Sequence, residues 1–184
     1  MRILLISGST RAASTNTAAL RAMHEAAPNE VETAWYDGLA EFPAFNPDDT
    51  DSPPPQVAAL TAAISAADAV LFCTPEYAGS LPGSFKNLLD WTVKGGDLYG
   101  KPVAYVSVAA EGRGTGAEAT LRTVLGYVGA ELLGDACVRV YVARESVGAD
   151  GRIADQATRD RLVAALVGVA AAASVSSTAA GRAS

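Results

Sequence analysis

Histidine and cysteine are scarce in this chain of 184 residues, which contains one histidine, His24, and two cysteines, Cys73 and Cys137. The cysteines form no C-x-x-C pair, so the sequence lacks the ligand spacing of a zinc site. A single histidine also argues against a catalytic triad built on histidine. We therefore predict that the protein binds no metal and works in a reducing, cytoplasmic setting.

Basic residues and long apolar runs are also lacking. The chain carries 14 Lys and Arg against 20 Asp and Glu, and its net charge of −6 argues against binding to nucleic acid. The apolar run near the N-terminus covers only residues 3–6, which is too short for a signal peptide. The Ala-rich stretch around residues 169–175 is interrupted by polar and small residues, so we expect no membrane span.

Strand and helix patterns alternate along the whole chain, whose length suits one domain. Apolar or alternating runs predict strands at residues 3–6, 31–36, 69–73, 102–108 and 138–142. Helical spacing predicts helices at residues 15–26, 56–67, 82–92, 116–128 and 154–173. This order predicts an α/β domain over residues 1–173, with a parallel sheet covered on both faces. Residues 174–184 are small and polar, and we expect a disordered tail there.

The loop between the first strand and the first helix is a candidate site, because such sheets bind ligands at the carboxyl ends of their strands. Residues 8–16 read G-S-T-R-A-A-S-T-N and combine four hydroxyls, one amide and one guanidinium. The following helix directs free N–H groups and the positive end of its dipole toward this loop, which favours a phosphate. Helix capping alone would need only one of these polar side chains.

A terminal monophosphate is the form of phosphate that this loop favours. It contains no G-K-[ST] triplet, and Gly8 is its only glycine, whereas a dinucleotide-binding loop reads G-x-G-x-x-G. A receiver domain would place acidic residues at the end of the first strand, where Ser7 and Ser9 stand.

A second candidate loop follows the third predicted strand and reads P-E-Y-A-G-S-L-P-G over residues 75–83. Two prolines and two glycines give its backbone a defined shape, whose polar groups suit the edge of a flat heterocycle. Tyr77 can pack beside such a ring, but it can equally be an ordinary half-buried aromatic residue, and Glu76 an ordinary solvated one. Lys86 and Asp90, on the next helix, have the spacing of an ion pair.

These two segments, G-S-T-R-A-A-S-T-N at 8–16 and P-E-Y-A-G-S-L-P-G-S-F-K-N-L-L-D-W at 75–91, resemble the NADPH-dependent FMN reductase family, which includes quinone, chromate and azo-dye reductases. The resemblance implies a flavodoxin-like α/β/α sandwich of three layers, with a five-stranded parallel sheet in the order 2-1-3-4-5. It also implies bound FMN and a homodimer or homotetramer.

The resemblance also implies roles for individual residues. The residues expected to hold the FMN phosphate are Ser9, Arg11, Ser14, Thr15 and Asn16. Those expected to line the isoalloxazine are Pro75, Glu76, Tyr77, Ala78, Gly79 and Ser80. A glycine-rich stretch, with Gly112, Gly114 and Gly116, resembles the family's loop near the ring, although by itself it could be a plain strand-to-helix turn. Family members commonly have Asn where this chain has Ala78.

The activity that the resemblance implies is electron transfer from NADPH or NADH, through FMN, to a small acceptor such as a flavin or quinone. We expect a ping-pong cycle in one open site and no catalytic side chain, because the flavin N5 carries the chemistry. Arg113 and Lys94 are candidates for the 2′-phosphate of NADPH. The alternatives are a flavodoxin-type electron carrier without its own turnover, or a cofactor-free regulatory module; a classical nicotinamide dehydrogenase fits least.

Overall fold

The apolar runs at residues 3–6 and 69–73 form the central strands of a parallel sheet in the computed structural model. The structure describes residues 1–180. Strands that are covered on both faces need apolar residues at every position, and all five residues of the third strand are buried. The first four strands are β1 (Arg2–Ser7), β2 (Glu32–Tyr36), β3 (Ala69–Cys73) and β4 (Pro102–Ser107).

The strand order is β2-β1-β3-β4, with the last position of the sheet beside β4. All pairs are parallel; in the register of β1 with β3, for example, Leu5 lies opposite Leu71. This is the predicted order 2-1-3-4-5 of a flavodoxin-like fold, and the carboxyl ends of the strands form one edge of the sheet.

The fifth position of the sheet differs from the prediction of one strand over residues 138–142. It is divided between two short strands, β5 (Glu131–Leu132) and β6 (Val138–Arg139), which both pair with β4. A 3-10 turn at Gly134–Ala136 separates them, because Gly134 and Asp135 favour a turn over an extended ladder. Beyond β6 the chain stays beside β4 through two backbone hydrogen bonds, from Val140 N–H to Ser107 O (2.9 Å) and from Val142 N–H to Val108 O (3.1 Å).

Five helices cover the two faces of this sheet. Helices α1 and α5 share one apolar core with the sheet, and α2, α3 and α4 share the other. Side chains of β3 alternate between them: Leu71 belongs to the first core, and Val70 and Phe72 to the second. The helices are α1 (Thr15–Glu25), α2 (Pro55–Ser65), α3 (Gly83–Gly95), α4 (Thr115–Tyr127) and α5 (Gln156–Ala180).

The long connection between β2 and α2 is attached to α3. The side chain of Asn87 accepts from Phe45 N–H (2.7 Å) and donates to Pro43 O (2.8 Å), which also accepts from the indole of Trp91 (3.0 Å). Lys86, on the same helix, forms the expected ion pair with Asp90 at 2.5 Å.

Helix α5 extends farther than the sequence pattern suggested. We expected it to end at residue 173 and a disordered tail to follow, but the helix continues to Ala180, since the added residues are mostly Ala and Ser and contain no Gly or Pro. Residues 181–184 lie outside the described part of the chain. By length and apolar composition, residues 156–178 could cross a membrane. Leu162, Leu166 and Val169 are instead buried in the core shared with α1, so α5 is a core helix of the domain.

Candidate functional site

The N-terminus of α1 opens toward the loop that leaves β1. Ser14 is the N-cap, and its hydroxyl accepts from Thr17 N–H at 3.3 Å. Within residues 1–180, the backbone N–H groups of Thr15 and Asn16 have no protein acceptor. These two donors and the positive end of the helix dipole therefore favour a negatively charged ligand at this position.

The loop before α1 is folded by its own serines and fixed to the neighbouring strand. Ser9 Oγ accepts from Arg11 N–H at 3.3 Å, and Gly8 N–H donates to Cys73 O at 2.8 Å. A Cβ at Gly8 would lie 2.3 Å from Thr74 Oγ1, so only glycine allows the loops after β1 and β3 to approach this closely. The side chain of Arg11 is exposed and forms no ion pair with any described residue.

The loop after β3 forms a tight hairpin. Tyr77 and Ser80 exchange two backbone hydrogen bonds, both of 3.0 Å. The two residues between them, Ala78 and Gly79, have φ of +50° and +73°, as a two-residue turn of type I′ requires. This hairpin gives the P-E-Y loop the defined shape that its prolines and glycines predicted.

The hairpin is attached to the N-terminus of α4. The carboxylate of Glu76 accepts from Gly116 N–H (2.6 Å) and Ala117 N–H (3.1 Å), which are free donors of the first turn. Gly116 itself is in close contact with the hairpin, because a Cβ there would lie 2.1 Å from Gly79 O. The predicted cofactor-binding residues Glu76 and Gly116 thus join two elements of the protein to each other.

Two adjacent cavities lie along this edge of the sheet. The first, of about 290 Å³, is bordered by Arg11 from the first loop and Tyr77 from the hairpin. The second, of about 380 Å³, is bordered by Glu76, Arg113 and Gly114. The residues that border both cavities are Thr15, Asn16, Pro75, Val108 and Ala109.

Most of the residues predicted from sequence therefore meet at one place. The predicted residues that border at least one cavity are Ser9, Arg11, Ser14, Thr15, Asn16, Pro75, Glu76, Tyr77 and Gly114. Those that border neither are Ala78, Gly79, Ser80, Gly112 and Gly116. Ser80 lies on the side of the hairpin that faces α4, where its hydroxyl is 3.2 Å from that of Thr120.

The sequence analysis missed the wall formed by the ends of β4 and β6. Residues 108–110 follow β4, while Tyr141 and Arg144 follow β6, and all of them border the first cavity. The rule that ligands bind at the carboxyl ends of parallel strands, which identified the first two loops, also applies to these segments. Tyr141 was predicted as a strand residue, and its exposed fraction of 51% is close to the 53% of Tyr77.

Positive charge predominates along the first cavity, whose border includes Arg11 and Arg144 but no acidic residue. Arg113 lies at the second cavity. Lys94, the other residue considered for a 2′-phosphate, borders neither cavity; it is paired with Asp51 at 2.5 Å near the end of α3. The hydrogen bond from Lys94 lowers the pKa of the Asp51 carboxyl.

Comparison with known proteins identifies relatives over most of the chain. A family model described as NADPH-dependent FMN reductase matches residues 1–143. An NAD(P)H-dependent FMN reductase of Pseudomonas aeruginosa is 34% identical over 87% of this chain and 88% of its own. A quinone reductase of Escherichia coli is 31% identical over 90% of this chain and 92% of its own.

A solved structure agrees with these sequence matches. The flavoenzyme NAD(P)H:(acceptor) oxidoreductase FerB of Paracoccus denitrificans superposes with a TM-score of 0.78 at 28% identity, and 96% of this chain and 97% of that chain are covered.

Proposed function

We propose that this chain, which belongs to the NADPH-dependent FMN reductase family, passes electrons from NAD(P)H through bound FMN to a small acceptor such as a quinone or a free flavin. The observation that carries this proposal is the shared cavity of the first loop and the hairpin, bordered by Arg11 and Tyr77. An anion site and a shaped backbone edge in one cavity match a ligand with a phosphate at one end and a flat ring at the other.

The donors at the N-terminus of α1 fit the phosphate of FMN. The free N–H groups of Thr15 and Asn16 can each donate to a phosphate oxygen, and the guanidinium of Arg11 supplies the opposite charge. No acidic side chain borders this cavity to repel the phosphate. The composition of the loop, with hydroxyl, amide and guanidinium groups, is therefore that of a monophosphate site.

The walls beyond the phosphate site fit the flavin ring. Pro75, Val108 and Ala109 border both cavities and offer apolar surface between them. The half-exposed Tyr77 and Tyr141 border the first cavity and offer flat surfaces to a ring or a second substrate. Glu76 and the hairpin hydrogen bonds keep this part of the backbone in place when ligands exchange.

FMN, when bound, supplies the redox chemistry by accepting a hydride equivalent and releasing electrons to the acceptor. The residues of the chain then need to bind and orient both partners, and no side chain needs to act as an acid or base. Because one open cavity serves donor and acceptor in turn, we infer a ping-pong cycle. Arg113 borders the second cavity, and we propose that it recognises the 2′-phosphate of NADPH.

Steady-state kinetics of the purified protein test this function. The expected preparation is yellow, releases FMN on denaturation, and oxidises NAD(P)H continuously with a benzoquinone, giving parallel lines in double-reciprocal plots. Intersecting lines would contradict the ping-pong cycle. A preparation that contains FMN but shows almost no NAD(P)H oxidation would instead identify an electron carrier of the flavodoxin type.

The outer face of α5 supports a homo-oligomer, which we propose to be a dimer or tetramer. Val167 and Val175 are 43% and 71% exposed, and a groove of about 430 Å³ lies between α5 and the free edge of the sheet. This groove is bordered by Asp135 and Arg161, so a second copy related by a two-fold axis can pair opposite charges across it.

Light scattering of charge variants tests this interface. Val167→Glu is expected to shift the protein to monomers, because it buries a charge in the contact. Val93→Glu, at a residue of α3 that is 59% exposed, is the matched control and should leave the assembly unchanged. The opposite pattern would place the contact on α3.

Both cysteines are free, as expected of a protein in a reducing compartment. We therefore propose that the protein is located in the cytoplasm, which cell fractionation checks.

A further inference from the structure

Cys73 is a buried thiol that the proposed reaction does not use, yet it contacts a residue of the phosphate loop. It is the last residue of β3 and has no exposed surface. Its Sγ donates to Oδ1 of Asn16 at 3.3 Å, across 57 residues of sequence. Asn16 is itself only 5% exposed and borders both cavities.

We propose that Cys73 is a positioning residue: its thiol fixes the side-chain amide of Asn16 so that the NH₂ group faces the cavity and donates to the phosphate of FMN. This inference rests on the proposed function, since FMN is the ligand that receives the bond. It assigns to a strand residue outside the two loops a part in phosphate recognition.

The orientation follows from the two different ends of an amide. One end accepts and the other donates, so an oxygen held by a donor on the sheet side leaves the nitrogen on the opposite side. No buried side-chain nitrogen or oxygen of the described residues lacks a hydrogen-bond partner. Nδ2 of Asn16 has no protein partner within residues 1–180, so this atom reaches the open surface of the cavity.

The thiol is suited to this role because it remains a donor. Burial raises the pKa of the Cys73 thiol, and the S–H group is therefore present throughout the physiological pH range. Without that donor, Oδ1 of Asn16 would be buried without a hydrogen-bond partner, which costs free energy. The amide can avoid this cost by rotating about its terminal bond. Rotation would turn the oxygen toward the cavity, where it would repel a phosphate.

A matched pair of substitutions separates the donor from the packing of the side chain. Cys73→Ser keeps a donor and Cys73→Ala removes it, while both shorten the side chain to a similar volume. FMN affinity of the apoprotein, measured by quenching of flavin fluorescence, is expected to be roughly tenfold weaker for Cys73→Ala than for Cys73→Ser, as a hydrogen bond to a charged group predicts. Riboflavin, which lacks the phosphate, should bind both variants equally.

Asn16 provides the independent control. In an Asn16→Ala background the difference between Ser and Ala at position 73 should vanish. Asn16→Asp keeps an acceptor for the thiol but replaces the donor to the phosphate with a negative charge, so it should weaken FMN binding much more than riboflavin binding, and this holds even if a Cys73 variant fails to fold.

Three results would overturn the inference: equal FMN affinities of the Cys73 variants, an equal loss for FMN and riboflavin, or a difference that persists without Asn16. Failure of the proposed function gives another result, because the unchanged protein would then bind no FMN.

Discussion

Ala78 holds a backbone conformation that ordinary side chains avoid. Its φ of +50° makes it the single non-glycine residue with positive φ among residues 1–180. The left-handed region brings Cβ too close to the following carbonyl oxygen, and Asn tolerates this region better than Ala. The common use of Asn at this position in the family that the sequence resembles thus has a physical reason, because a type I′ turn favours Asn-Gly.

Replacement of Ala78 by Asn should stabilise the protein. We expect the free energy of unfolding, measured with urea, to rise by roughly 0.5–1 kcal/mol for Ala78→Asn, and to rise slightly for Ala78→Gly. Ala119→Gly, on the exposed side of α4, is the matched control and should lower it by about 1 kcal/mol. A loss of stability in both Ala78 variants would show that the turn is not strained.

Arg11 is the charged group of the phosphate loop, and its removal should weaken FMN binding. Equilibrium titration of Arg11→Ala is expected to show a loss of roughly 1.5–3 kcal/mol, the value of a hydrogen bond to a charged group. Arg161→Ala, an exposed arginine at the α5 groove, should leave the affinity unchanged. Unchanged FMN affinity in Arg11→Ala would place the phosphate elsewhere.

At the scale of elements, the hairpin and α4 form one rigid unit. Glu76 accepts two hydrogen bonds from the first turn of α4, and the Gly79 carbonyl approaches Gly116 so closely that no side chain fits there. The position of the hairpin beside the cavity therefore depends on a helix that contributes little of the cavity wall.

Substitution of Gly116 should separate this unit. A Cβ there would lie 2.1 Å from Gly79 O, so the hairpin must move, and we expect Gly116→Ala to cost roughly 1–3 kcal/mol of stability and to weaken flavin binding. Gly126→Ala is the control on the same helix; its Cβ meets no atom within 4 Å, and it should stabilise the protein by a few tenths of a kcal/mol. Similar results for the two variants in urea unfolding and FMN titration would show that the close contact between Gly116 and the hairpin does not position the hairpin.

The elements also show what could be predicted from sequence. The loops after β1 and β3 were predictable because each contains several chemically distinctive side chains within a few residues of sequence. The Tyr141 and Arg144 wall was not, because its residues are ordinary ones and only the end of the sheet brings them to the cavity. The contact of Cys73 with Asn16 spans 57 residues, and no local pattern encodes it.

At the scale of the whole molecule, two cores enclose the sheet, and the predicted sheet order is confirmed. Alternation of strands and helices predicted a parallel sheet covered on both faces, since parallel strands need crossover helices, and the resemblance to the family implied the strand order. The split of the fifth position and the length of α5 were not predicted, because short apolar runs at a sheet edge and Ala-rich helix ends have weak sequence signals.

Leu166 tests the contribution of α5 to this architecture. The residue is fully buried in the core shared with α1, and Leu166→Ala should lower the free energy of unfolding by about 2–5 kcal/mol. Val93, on α3, is 59% exposed, and Val93→Ala should change that free energy by less than about 1 kcal/mol. Equal effects in denaturant unfolding would show that the core does not include α5.

The interrupted fifth position has a further consequence for the range of acceptors. Beyond β6, the segment that contains Tyr141 and Arg144 is joined to the end of β4 by two backbone hydrogen bonds and lies outside the regular strands. Substitutions at the exposed positions of that stretch should leave the pairing of the inner strands intact, since none of these residues takes part in it. Directed evolution toward bulkier oxidants would therefore profit most from randomising the exposed residues Tyr141, Arg144 and Glu145, whereas Val140 and Val142 are buried in the core and should be kept.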